Sequence, residues 1–92
     1  MSLAVDIIKN NGSSERFDRD KLHKSIVSVC ISVRAPHGQA EATAHSVCDA
    51  VIDWLASRPE VTSADIRTIA GKHLKRYHPE AAYLYEQHHI II

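Results

Sequence analysis

Glycine is scarce in this 92-residue chain: three residues, Gly12, Gly38 and Gly71, stand far apart. That spacing excludes the G-x-G-x-x-G dinucleotide turn and the G-x-x-x-x-G-K-[S/T] phosphate loop, which need clustered glycines to wrap backbone amides around a phosphate. A G-x-S-x-G nucleophile elbow is excluded as well. Cysteine is almost as rare. Cys30 and Cys48 form no C-x-x-C pair, so two buried thiols in a reducing compartment are expected and a structural metal is not. No apolar run approaches the ~20 residues that cross a bilayer. Asp6 and Lys9 interrupt the first apolar segment, which argues against a signal peptide. A cytoplasmic protein with no membrane contact is therefore expected. Aromatics amount to 5% of the residues, so aliphatic packing between helices has to supply most of the core.

An excess of charge is also missing. Eleven basic residues balance eleven acidic ones, which removes any general attraction to nucleic acid or anionic lipid. An anion site, if there is one, has to be local. Seven histidines make the balance responsive to mild acid. With 45% hydrophobic residues, the chain has enough apolar surface for one domain, taken as residues 1–92 with a core from about 4 to 89.

Val5-Asp6-Ile7-Ile8-Lys9 reads as a strand, Asn10-Asn11-Gly12 as a turn, and the segment to Phe17 as the returning strand. Two registers compete. A two-residue turn pairs Lys9 with Ser14 and Ile8 with Glu15, and scatters the apolar residues over both faces. A three-residue loop with Gly12 in the left-handed bulge position pairs Lys9 with Ser13, Ile7 with Glu15 and Val5 with Phe17. It gathers Val5, Ile7 and Phe17 on one face and leaves Asp6, Asn10, Ser14 and Arg16 on the other. Hydrophobic pattern sets register, so the second is chosen. Lys9 and Glu15 then share the apolar face.

Asp18 is a good N-cap for a first helix with the stripe Leu22, Ile26, Val29, Cys30 and Val33, ended by Ala35-Pro36-His37-Gly38. A second helix is expected from about Gln39 to Ser57, with Ala40, Ala44, Val47, Cys48, Val51, Ile52 and Leu55 inward and Pro59 as its stop. Glu60-Val61-Thr62 is a candidate third strand. Thr62 or Ser63 caps a third helix, with Asp65 in its first turn and the stripe Ile66, Ile69, Ala70, His73, Leu74 and Tyr77. Pro79 opens a fourth helix, with Ala81, Leu84, Tyr85 and His88 facing inward. The closing Ile90-Ile91-Ile92 is a last helical turn or an apolar tail. The fold expected is α+β, mostly α: a four-helix bundle capped by a small hairpin or three-stranded sheet.

The order Lys9, Gly12, Glu15, Asp18, Lys21 resembles the opening of the ATP-cone, the allosteric nucleotide domain of ribonucleotide reductases and their transcriptional repressors. Val61-Thr62-Ser63-Ala64-Asp65-Ile66 is similar to that family's third-helix start, and His78-Pro79-Glu80-Ala81-Ala82-Tyr83-Leu84-Tyr85 to its last helix. The likeness runs through nearly the whole chain. It implies a non-catalytic regulatory domain that binds ATP or dATP, with Mg²⁺ brought by the nucleotide. It also implies contacts from Ile7, Lys9, Glu15, Phe17, Asp18, Lys21, Leu22, Ser63 and Arg67. The chemistry suits those positions. Ile7, Phe17 and Leu22 are placed to hold a flat adenine, and Glu15 and Asp18 to accept from the ribose or the amino group. Lys9, Lys21 and Arg67 are placed to meet phosphates, aided by helix-start amides. No metal ligands and no catalytic residues are implied.

Each of these residues also has an ordinary role open to it. An edge-strand lysine deters aggregation, a strand glutamate is commonly solvated, Asp18 needs only to cap its helix, and Phe17 and Leu22 need only be core. Convergence of polar residues on a face that should be buried favours the ligand. Two departures from the family pattern stand out. Asn10 replaces the arginine of a Lys-Arg pair, and the basic residue some members carry after the fourth helix is not seen. Neither a reductase catalytic domain nor a cysteine-rich zinc ribbon is present in the sequence. The expected output is therefore self-association or a partner protein, with no direct nucleic-acid contact. The alternatives are a helical interaction module that has lost nucleotide, and a small DNA-binding protein using Lys72, Lys75 and Arg76.

Overall fold

A computed structural model describes residues 5–87. In chain order the elements are β1 (Asp6–Ile8), β2 (Ser14–Arg16), α1 (Arg19–Ser32), α2 (His37–Leu55), β3 (Glu60–Thr62), α3 (Ser63–Leu74) and α4 (Pro79–Gln87). Each helix packs on the next and α4 returns against α1, which closes a four-helix bundle. The sheet order is β2-β1-β3, with β1 antiparallel to β2 and parallel to β3. The class is α+β, mostly α, as expected.

The hairpin takes the three-residue loop. Ile7 lies opposite Glu15, the Lys9 amide donates to the Ser13 carbonyl at 2.8 Å, and the Phe17 amide to the Val5 carbonyl at 2.8 Å. Gly12 has φ +85°, a region closed to most side chains. Asn11 tightens the turn, its Oδ1 accepting from the Ser13 amide at 3.0 Å. Val5, Ile7 and Phe17 then face the helices and are buried. β3 brings Val61 beside Ile7 on the far side of β1.

One hydrophobic core runs through sheet and helices, with Leu22, Ile26, Val47, Val51, Leu55, Ile66, Leu74 and Tyr85 fully enclosed. Both thiols lie in it and are free. Burial pushes the Cys48 thiol up to about 11, which makes it a packing group rather than a nucleophile. No described helix is long and apolar enough to cross a membrane.

Several boundaries differ from the sequence expectation. α1 stops at Ser32, because the Ala35 amide reaches back to the Cys30 carbonyl and the Arg34 amide to the Ile31 carbonyl. This closure requires a left-handed residue, and Arg34 supplies it at φ 66° where glycine is usual. Pro36 then admits α2 two residues early, at His37. α2 ends at Leu55, ahead of Pro59. Arg58 folds over Trp54, 4.4 Å from its ring centre, and donates to the Trp54 carbonyl at 2.9 Å. Tyr77, expected inward, is 54% exposed, because α3 finishes at Leu74 and the turn behind it carries the ring out. Val33, Ile52, Ile69, His73 and Leu84 are half-buried. His88 and Ile90-Ile91-Ile92 lie outside the described residues.

Candidate nucleotide-binding site

The candidate residues come from β1, β2 and the opening turns of α1 and α3. Register places Ile8 against Thr62, so Lys9 leaves the sheet beside Ser63, the first residue of α3. Thr62 caps that helix: its hydroxyl accepts from the Asp65 amide at 3.0 Å, and Asp65 accepts from the Thr62 amide at 3.2 Å. Of the two caps left open by the sequence, Thr62 takes the role, which leaves the Ser63 side chain free of capping. Asp18 caps α1, its Oδ1 accepting from the Asp20 amide at 2.9 Å. The two helix starts follow the two outer strands, α1 after β2 and α3 after β3, on opposite edges of the sheet.

Lys9, Glu15 and Lys21 meet on the β1–β2 side. Glu15 Oε1 takes the Lys21 ammonium at 2.9 Å and Oε2 takes the Lys9 ammonium at 3.2 Å. All three side chains are about a third exposed, at 32%, 32% and 42% for Lys9, Glu15 and Lys21. The Lys21 and then the Lys9 hydrogen bonds hold the Glu15 carboxyl below its ordinary value. Two cations thus share one anion, and a positive charge is left over on a sheet face that points toward the core. Beneath them lie Ile7, Phe17 and Leu22, at 1%, 3% and 0% exposure. As the chain is packed, none of the three is open to a planar ring.

Arg67 stands one turn after Ser63 on α3 and is half-buried. Its Nε is enclosed and has no hydrogen-bond partner. Such a donor costs about 1–3 kcal/mol until an acceptor is found, so its position fits a polar ligand. Among the described residues Arg67 makes no hydrogen bond or ion pair with the Lys9–Glu15–Lys21 group. Its charge does act on Tyr85, whose hydroxyl burial pushes up to about 12. Tyr85 Oη lies 3.1 Å from Ser25 Oγ, which donates to the Leu22 carbonyl at 2.8 Å. This buried polar pair joins α4 to the helix carrying Lys21 and Leu22. The sequence reading missed it, and its one signal was a serine placed three residues after Leu22 on the apolar stripe. Asn10, at the turn, is exposed.

The residues present fit an adenine nucleotide: unmatched cations, an enclosed donor without an acceptor, and apolar groups beneath. Among the described residues no set of three His, Cys, Asp or Glu is arranged to hold a metal ion. The sequence profile of the ATP cone domain matches residues 5–87. The chain is also 38% identical over 80 residues to the transcriptional repressor NrdR of Thermosynechococcus vestitus, covering 87% of this chain and 48% of that protein. It therefore spans about half the length of that relative. ATP-cone domains bind ATP or dATP as regulatory ligands and are not catalysts, and on the profile match this chain belongs to the ATP-cone family.

Proposed function

We propose that this domain, taken as one unit over residues 1–92, binds ATP or dATP with its phosphates against Lys9, Lys21 and Arg67. The observation that carries the reading is the sharing of Glu15 between two lysines. An incoming polyphosphate replaces Glu15 as their counter-ion. Glu15 is then released to accept from the ribose or the adenine amino group, as Asp18 is placed to do. Mg²⁺ arrives with the triphosphate. Ile7, Phe17 and Leu22 receive the base, and Ser63 offers its hydroxyl at the start of α3.

A ligand regulates only by binding two states differently. The proposed output is a change in self-association or in docking to a partner protein. The matched relative is a transcriptional repressor, which weakens the sequence-based expectation of no nucleic-acid contact. A nucleic-acid-linked output through further chain or a partner is compatible with the family. The balanced charge of this chain still favours a protein interface.

Thermal shift and calorimetry with ATP, dATP, ADP and GTP, with and without Mg²⁺, test the reading. Ligand at 100 times its dissociation constant stabilises the fold by about 2.7 kcal/mol. Millimolar ATP and dATP that leave both heat and melting temperature unchanged would leave only a helical interaction module. Light scattering with and without ATP then separates self-association from a separate partner.

A further inference from the structure

Away from the strand ends, α2 carries four ionisable residues at four-residue spacing: His37, Glu41, His45 and Asp49. This spacing sets them in one row along the helix, and the row faces α1. Each acid receives the histidine one turn before it and one base from α1. Glu41 Oε1 lies 3.4 Å from His37 Nε2, and its Oε2 lies 2.6 Å from His23 Nε2. Asp49 Oδ2 lies 3.5 Å from His45 Nε2, and its Oδ1 lies 2.9 Å from Arg19 Nη2.

The two halves of the row differ in what a proton can do. Arg19 Nη2 also lies 3.2 Å from His45 Nδ1 and donates to the His45 carbonyl at 3.4 Å. A guanidinium only donates, so His45 Nδ1 must be the accepting nitrogen and Nε2 carries the hydrogen toward Asp49. A second proton on that ring would sit at Nδ1, facing a guanidinium. Around Glu41 both bases are imidazoles, and Glu41 has no permanent cation. On α1, His23 is flanked by exposed Asp20 and Lys24. Among the described residues no charged group of α3 reaches this row and none of α4 reaches His23 within ion-pair distance. The His23 hydrogen bond, with His23 and His37 nearby, holds the Glu41 carboxyl below its ordinary value, so Glu41 stays ionised in mild acid.

We propose that the His23–Glu41–His37 group is a proton-operated clasp between α1 and α2, set beside a clasp of Arg19, His45 and Asp49 in which the carboxylate already holds a permanent cation. A proton added to His23 turns its hydrogen bond to the ionised Glu41 carboxylate into an ion pair and tightens the joint one turn below the start of α1. The inference does not depend on the nucleotide reading.

Two double-mutant cycles test it by urea unfolding at pH 7.5 and pH 5.8. One uses His23→Gln and Glu41→Gln, the other Arg19→Gln and Asp49→Asn. The expected result is a coupling constant for the first pair that rises about threefold or more on acidification, with the second changing less than about 1.5-fold, the scale of exposed pairs. Equal coupling of the first pair at both pH values overturns the clasp, and so does an equal rise in both cycles. Glutamine at position 23 keeps a hydrogen-bond donor without a titratable charge. If a double mutant is too unstable to measure, the single variants decide. The stability gap between wild type and Glu41→Gln must widen on acidification, and a constant gap rejects the proposal.

Discussion

Two charged regions of this molecule look alike in composition and differ in accounting. On the α1–α2 joint, every acid of the row has two bases in reach, and Arg19 and His23 both find carboxylates. At the strand ends, two lysines share Glu15 and the Arg67 Nε has no acceptor. The first arrangement holds one permanent cation, Arg19, for two carboxylates, so it carries no surplus of fixed positive charge. The second is short of negative charge and of one hydrogen-bond acceptor, and both deficits have the sign an anionic ligand would fill. Counting ion pairs alone would not separate them; what separates them is which groups are left over.

The sharpest way to break the comparison is to remove a cation from the end with the surplus. Lys21→Ala removes a charge-assisted contact and is expected to weaken ATP binding by about 1.5–3 kcal/mol, tenfold or more. Lys24→Ala, three residues further along α1 and exposed, should change affinity less than about twofold. Calorimetry on both variants decides, and equal affinities would remove Lys21 from the site.

A second change probes where the joint ends. Arg34 holds a left-handed conformation at φ 66° and its side chain is exposed. Relief of that strain by Arg34→Gly is expected to raise unfolding stability by about 1 kcal/mol, read as an increased urea midpoint with nucleotide affinity unchanged. A loss of stability would show that the arginine side chain supports the turn.

The smallest effect is expected from Glu15→Gln. Inorganic tripolyphosphate, which has no base or ribose, should then bind a few-fold more tightly because its internal competitor has lost its charge. The folded-state carboxyl is depressed, so its stabilising contribution is present above the ordinary value of 4.5 and is lost as pH falls through the lower folded value. The stability difference between wild type and Glu15→Gln is therefore expected to be flat near neutral pH and to vanish in acid. Tighter phosphate binding by wild type than by Glu15→Gln would refute the exchange of counter-ions.

Much of this was legible because local rules agreed. Val5, Ile7 and Phe17 can share a face in one hairpin register only, and that register also put Lys9 and Glu15 together. Asp18, Asp65 and Pro79 marked three helix starts correctly. The rest depends on how elements rotate against one another. The four-residue spacing of His37, Glu41, His45 and Asp49 is in the sequence, but the choice of Arg19 and His23 as partners comes from helix packing. That Glu15 would be shared by two lysines was not apparent from a common face alone. Arg34 was hidden because arginine is a poor candidate for a left-handed cap, and Tyr77 because a helical stripe was extended past the helix end.

The parallel pairing of β1 with β3 has a kinetic consequence. Asp6 meets Glu60 only after α1 and α2 have been threaded between them, and closing so long a loop is slow compared with forming a hairpin or a helix. Lys9, Glu15 and Lys21 come from one contiguous stretch and can gather early. Ser63 and Arg67, on α3, take their places only when the third strand docks. In a growing chain the lysine cluster can therefore precede the placing of α3, and the proposed site is complete only in chains that have finished folding.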